Sequence, residues 1–182
     1  MIVSNIVTSI GNLAFSNCTS LTSIVIPDSV KSIGDYAFYG CPIEMAIITT
    51  DAIDYISNKS LKTVILTGGT SIGSEAFFYN GSNLTSIVIP NSVTSIGGFA
   101  FKGCTSLTSI VIPNSVTSIG KYAFSDCDSL KIYCEVESKP SGWKDDWNPS
   151  NCPIVWGYKN NNKTNESLQE VTNAERKGYG EK

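Results

Sequence analysis

Histidine is missing from all 182 residues of this chain. With it goes the side chain that most often serves as general base, proton shuttle or metal ligand near neutral pH. The expectation is a protein that is not an enzyme and carries no cofactor or metal. Charge is sparse as well. The 13 Lys+Arg stand against 16 Asp+Glu, a balance that offers nucleic acid no electrostatic attraction. In residues 1–130 the only bases are Lys31, Lys59, Lys62, Lys102 and Lys121, and arginine does not occur. The surface there is left to Ser, Thr and Asn, which recognise partners through hydrogen bonds rather than long-range attraction. No run approaches the ~20 apolar residues that cross a bilayer, so membrane insertion is not expected. Met1-Ile2-Val3-Ser4-Asn5 also lacks the basic start and long apolar stretch of a secretory signal.

What the chain has in abundance is repetition. Phe follows Ala at Phe15, Phe38, Phe77, Phe101 and Phe124, at intervals of 23, 39, 24 and 23 residues. One cassette fills these intervals, seen best in Leu84-Thr-Ser-Ile-Val-Ile-Pro-Asn-Ser-Val-Thr-Ser-Ile-Gly-Gly-Phe-Ala-Phe101 and again from Leu107 to Phe124. A third copy runs from Leu21 to Phe38. The long interval holds a divergent copy: Ile43-Glu-Met-Ala-Ile-Ile48 replaces Leu21-Thr-Ser-Ile-Val-Ile26, and Leu61-Lys-Thr-Val-Ile-Leu66 begins the next copy 18 residues later.

A period of 23 containing Leu-x-x-Ile-x-Ile is one strand plus a return path. Alternation along the strand turns Ile24 and Ile26 inward and Ser23 and Val25 outward. Pro27, Pro90 and Pro113 then end the strands, since proline cannot donate to a ladder. Val30 and Ile33 return to the core, and Ala37 and Phe38 close the coil. Gly34, Gly73, Gly97 and Gly120 suit a sharp turn with unusual backbone angles. A single rung cannot bury its apolar edge, so stacking is obligatory. The pattern predicts a mainly β solenoid whose parallel sheet has about seven strands, at 1–3, 24–26, 46–48, 64–66, 87–89, 110–112 and 132–134. Six steps of about 4.8 Å make a stack on the order of 29 Å long.

Leu107-x-x-Ile-x-Ile-Pro-x-x-Val-x-x-Ile-Gly-x-x-Ala-Phe124-x-x-Cys127 resembles the BspA-like leucine-rich repeats of bacterial and protist surface proteins. The resemblance covers residues 1 to about 134. It implies a cell-surface or secreted protein that adheres to host components or matrix, with no catalytic residues to carry over. A cytoplasmic location stays open, because the chain shows no signal peptide and begins inside a rung. Residues 1–135 are expected to form the leucine-rich-repeat solenoid and 136–158 a C-terminal capping segment. Residues 159–182 read as a polar flexible tail, in which Ser167 to Arg176 offers a weak helix.

The candidate binding surface is the concave outer face of the sheet. Val25, Ile47, Ile65, Val88, Val111 and Tyr133 form one row, and Ser23, Met45, Thr63, Ser86 and Ser109 run beside it. The row suits a protein or glycan partner, while β-branched side chains also stabilise any sheet. Met45, Thr63 and Ile65 are the more telling positions, since they lie in the divergent copies. The incomplete first rung offers an alternative, self-association through an open N-terminal edge. Cys18, Cys41, Cys104 and Cys127 each follow a repeat Phe by three residues and suit a ladder of buried thiols. Cys134 and Cys152 flank the closing segment, where a bridge is open to them. Trp143, Trp147 and Trp156 suit a lid over the last rung better than a sugar platform. The acid pairs Asp51/Asp54, Asp126/Asp128 and Asp145/Asp146 read as solvated surface groups.

Overall fold

The structure, a computed structural model, describes residues 1–56, 59–78 and 81–160. Every pairing among its strands is parallel. The chain is a coil of rungs with one main sheet and a second ladder on the return side.

The main sheet starts with β2 (Ser23–Val25), β4 (Met45–Thr49), β5 (Thr63–Gly68) and β7 (Ser86–Val88), hydrogen-bonded in that order. It continues across a contact with β9 (Ser109–Ile112), then β11 (Lys131–Cys134) and β12 (Ile154–Val155). Equivalent repeat positions align, with one register shift between Ile48 and Thr49 where β4 meets β5. Ile24, Ala46, Val64 and Ile87 are in register, as are Ile110, Ile132 and Ile154. All of these Ile, Ala and Val residues except Ile154 are fully or almost fully buried, and Ile154 packs partly buried against them. The strand expected at residues 1–3 is reduced to a bridge between Ile2 and Val25.

The return path carries its own strands, which the repeat pattern did not announce. Each is a Ser-Ile pair: β1 (Ser9–Ile10), β3 (Ser32–Ile33), β6 (Ser71–Ile72), β8 (Ser95–Ile96) and β10 (Ser118–Ile119). β1 pairs with β3, and β8 pairs with β6 on one side and β10 on the other. Between these two ladders lies the divergent rung. Residues 49–60 lack the Ile-Gly-x-x-Ala-Phe ending, and the chain there folds as a short 3-10 turn (Thr50–Ala52) running into α1 (Ile53–Ile56). Ala52, Ile53 and Ile56 bury apolar side chains in place of the missing Ile, Ala and Phe. The core is kept while the return ladder is broken.

The aromatic rings stack along the coil axis. Phe15 lies on Phe38 at 5.4 Å, and Phe77, Phe101 and Phe124 follow one another at 5.2 Å, all nearly parallel. Stacking adds about 0.5–1.5 kcal/mol per pair beyond burial.

The segment expected to close the coil is itself a degenerate rung. Trp143 bridges to Ile119 in the return ladder, Trp147 meets Phe124 edge-on at 5.6 Å, and β12 extends the main sheet. Trp143 and Trp147 are buried, and Trp143 donates its indole N–H to the Val116 carbonyl at 3.1 Å. The polar tail expected at 159–182, with its weak helix, falls almost wholly outside the described residues. Among the described residues no helix is long and apolar enough to cross a membrane.

The repeat glycines are used differently from the expectation. Gly34, Gly73, Gly97 and Gly120 do not carry positive φ. Those angles fall two residues later, at Leu13, Tyr36, Glu75, Phe99 and Tyr122, all with φ between 56° and 59°. Glycine is needed for closeness instead. A Cβ on Gly97 would overlap Ser74 N and sit 2.6 Å from Gly73 C; one on Gly120 would overlap Gly98 N and sit 2.8 Å from Gly97 C. Gly34 meets the backbone of Asn12 in the same way, with Asn12 N only 2.5 Å off. Gly11 begins the ladder and Gly73 follows the break, so neither has a return strand on that side, and a Cβ on either meets nothing within 4 Å.

Candidate binding surfaces

The outward row of the main sheet is in register within each of its two hydrogen-bonded parts. Val25, Ile47, Ile65 and Val88 align, as do Val111, Tyr133 and Val155. Val155 extends the row beyond the sequence expectation. The row is not open along its whole length. Ile47 and Ile65 are only 5% and 8% exposed, yet they lie outside the core cluster. Rows of branched side chains about 4.8 Å apart shield one another. Val25, Val88, Val111 and Tyr133 are half-buried, and Tyr133 rests against Tyr158 at 4.9 Å. Beside the row, Met45 is 39% exposed and Thr63 half-buried. Lys62 and Glu44 form a surface ion pair at 2.9 Å along the same flank.

The hydroxyl-rich surface is partly spoken for. Thr85 Oγ1 donates to Lys62 O, Thr94 Oγ1 to Thr70 O and Thr117 Oγ1 to Thr94 O, at 3.1–3.3 Å. Ser95 Oγ donates to Ser71 Oγ at 2.9 Å, and Asn83 Nδ2 to Lys59 O at 2.6 Å. These groups staple each rung to the one before it, so composition alone overstates the polar surface left for a partner.

A second surface emerged that the repeat pattern did not flag. The break in the return ladder opens a cleft of about 820 Å³ lined by Asp35, Tyr36, Phe38, Tyr39, Gly40, Asp54, Tyr55 and Ile56. Tyr36 and Tyr39 are 68% and 62% exposed, with ring centroids 5.9 Å apart and ring planes nearly perpendicular. Phe99 and Tyr122, at the repeat position of Tyr36, stack on each other at 5.3 Å instead. The usable signal in the sequence was the loss of the Gly-x-x-Ala-Phe ending next to tyrosines in the preceding copy.

Cys41, Cys104 and Cys127 are buried as a ladder of thiols requires and Cys152 joins them, whereas Cys18, at the open end, departs from the expectation. All six thiols are free, Cys134 and Cys152 included, and only Cys18 is exposed. Cys41 Sγ donates to Phe15 O at 2.9 Å, Cys127 Sγ to Phe101 O at 3.0 Å and Cys152 Sγ to Cys127 O at 3.3 Å. Each thiol thus reaches back one rung. The Cys104 thiol is held above the usual range by its hydrogen bond with Cys127 and by burial. Burial pushes Cys134 up to about 12 and Cys152 to about 11. At about pH 8 a thiol-specific reagent should therefore label Cys18 promptly and the other five only after denaturation. Rapid labelling of Cys134 or Cys152 in the native protein would contradict this packing. The sign for stability follows. Cys134 and Cys152 hold their protons more tightly when folded, so their contribution is complete below the ordinary value of 9.0 and is lost as pH rises through about 11 and about 12.

Among the described residues the carboxylates show no enclosed pair. Asp145 is fully exposed, and the Lys139 ammonium beside it holds its carboxyl below the usual range. Lys121 and Lys102 lie 3.9 Å and 4.0 Å from Asp146 and Asp126. Among the described residues no group of three or more Cys, Asp or Glu converges as metal ligands would.

The fold and its surfaces define a leucine-rich-repeat solenoid. The chain belongs to the BspA type leucine rich repeat family, whose profile matches residues 1–68 and 70–139 in six copies. A leucine rich cell surface protein from Faecalibacterium prausnitzii is similar at 36% identity and a TM-score of 0.52, covering 80% of this chain and 40% of its own. A leucine-rich repeat protein from Bacteroides ovatus is similar at 25% identity and a TM-score of 0.51, covering 84% of this chain and 46% of its own. The chain thus spans less than half the length of either. No curated protein matches it.

Proposed function

We propose that the protein is a non-catalytic, adhesion-type binding module of the cell surface that recognises a protein or glycan through the outer face of its main sheet. The carrying observation is the apolar row from Val25 to Val155. Its members are in register within each of the two hydrogen-bonded parts of the sheet, and they lie outside the core cluster. Contiguous apolar surface on a solenoid sheet is a common docking face. The cell-surface Faecalibacterium relative supports the location. Because Ile47 and Ile65 are covered, discrimination falls to the flank, where Met45 and Thr63 break the monotony of serine.

The test is a glycan array and a panel of immobilised matrix proteins, read with the wild-type chain and with Met45→Asp and Thr63→Asp. Both variants change accessible flank positions, so the circular dichroism should not move. Binding to whichever partner is found should fall about tenfold, in line with a charge placed in an apolar contact. Full affinity in both variants would remove the sheet face from consideration.

One observation favours a second reading, self-association. The N-terminal end presents an apolar hollow of about 320 Å³ lined by Met1, Ile2, Val3, Val7, Ile10 and Phe15 among others. Ile6 beside it is 84% exposed. A preceding rung or a second copy would cover this face equally well. Sedimentation equilibrium distinguishes the two readings: self-association predicts a mass that rises with concentration and is restored to the monomer by Ile2→Asp.

A further inference from the structure

The cleft beside the divergent rung is distinct from the sheet face, and its chemistry is specific. We infer that it binds the basic side chain of a protein partner, an arginine- or lysine-bearing segment, between the tyrosines Tyr36, Tyr39 and Tyr55 and the carboxylates of Asp35 and Asp54.

The backbone at Tyr36 is informative. Its φ is 56°, in the left-handed region that bulky residues avoid. The comparable turn two residues after Phe15, Phe38, Phe101 and Phe124 uses suited residues, Asn17, Gly40, Gly103 and Asp126. At the Tyr36 position the chain keeps large side chains in spite of the backbone. For Phe99 and Tyr122 the reward is their mutual stacking at 5.3 Å. The ladder break removes that reward on the far side of Tyr36, and its ring instead stands 68% exposed on the cleft. Tyr39 meets it edge-on, so the two rings form a corner, and Tyr55 of α1 lines the same space.

Charge decides the class of ligand. Asp35 and Asp54 line the cleft, and among the described residues no basic side chain does. Among the described residues neither carboxylate is in an ion pair. The surrounding chain is acidic: residues 1–56 hold Asp28, Asp35, Glu44, Asp51 and Asp54 against Lys31 alone. The Lys31 ammonium is turned to the Asp28 carbonyl at 2.6 Å. Ring faces attract cations through their quadrupole, and guanidinium groups stack on them as well. The carboxylates add charge-assisted hydrogen bonds. A cleft of about 820 Å³ exceeds a lone ammonium ion and admits an extended segment with one or two basic side chains.

The test uses fluorescence anisotropy with a labelled hexa-arginine peptide. Four proteins are compared: wild type, Tyr36→Asn, Asp54→Asn and Asp128→Asn. Asparagine tolerates the left-handed backbone, so Tyr36→Asn eases strain and should fold at least as well as wild type. Tyr36→Asn and Asp54→Asn should each weaken binding on the order of threefold to tenfold. Asp128→Asn removes the same charge away from the cleft and should leave affinity unchanged. Raising sodium chloride from about 50 to about 300 mM should weaken wild-type binding. Three results would overturn the inference: no binding of the peptide, full affinity in Tyr36→Asn, or an Asp128→Asn loss equal to that of Asp54→Asn. The sheet-face flank is untouched by these variants, so neither surface's failure bears on the other.

Discussion

Replacing Gly97 or Gly120 with alanine is expected to destabilise the protein by about 2–3 kcal/mol, whereas Gly73→Ala and Gly11→Ala should leave stability unchanged or raise it slightly. The four glycines occupy one repeat position and read identically in the sequence. They differ in what lies beside them. At Gly97 and Gly120 a methyl group would drive into backbone atoms of the preceding rung, which cannot rotate away as a side chain can. The rungs would have to separate, loosening the return ladder that Gly97 N→Ile72 O and Gly120 N→Ile96 O hold at 2.8–2.9 Å. At Gly73 and Gly11 the methyl enters open space. There the main effect is the lower entropy of the unfolded chain, roughly 0.4–1 kcal/mol in favour of folding. Urea denaturation of the four variants measures the contrast. Equal losses at all four positions would mean that glycine is kept for its backbone freedom after all.

Phe101→Ala should cost more, about 3–5 kcal/mol. Phe101 is fully buried and stacked on both faces, by Phe77 and Phe124 at 5.2 Å each. Truncation removes two stacking contacts and leaves a cavity between rungs that neighbouring backbones cannot close. Because a solenoid is held together by nearest-neighbour interfaces, the loss is concentrated at one junction. The denaturation curve should broaden as the rungs on either side begin to melt separately. Phe15→Ala is the comparison. Phe15 is half-buried at the end of its stack and meets Phe38 alone, so its loss should be well under half as large. Similar costs for the two would argue against a stack whose interior members carry most of the energy.

The strands of the main sheet were readable because their apolar alternation is strict and proline ends three of them. Pro27, Pro90 and Pro113 each also accept a turn hydrogen bond at 3.1 Å, from Val30, Val93 and Val116. The return strands were not readable. Two residues of Ser-Ile carry no period, and only the stacking of rungs makes them a ladder. The glycines misled because a sequence shows which backbone angles a residue permits, not how near the next rung comes. The rung-like nature of the closing segment is hidden by substitution: Trp143 stands for Ile and Trp147 for Phe. Alternation places Ile47 and Ile65 on the outer face, yet both are buried, and their shielding by the row around them depends on distances no alternation reports. The tyrosine cleft exists because one copy lost its ending, a deletion whose spatial consequence appears only once the neighbouring copies are stacked.

The central claim is that successive copies stack in register around one dry interior. Nuclear Overhauser contacts between the phenylalanine rings test it most directly. The account predicts strong cross-peaks from Phe101 to both Phe77 and Phe124, as rings 5.2 Å apart must give. Absence of those cross-peaks, with the Phe101 ring quenched by a soluble paramagnetic agent, would contradict it.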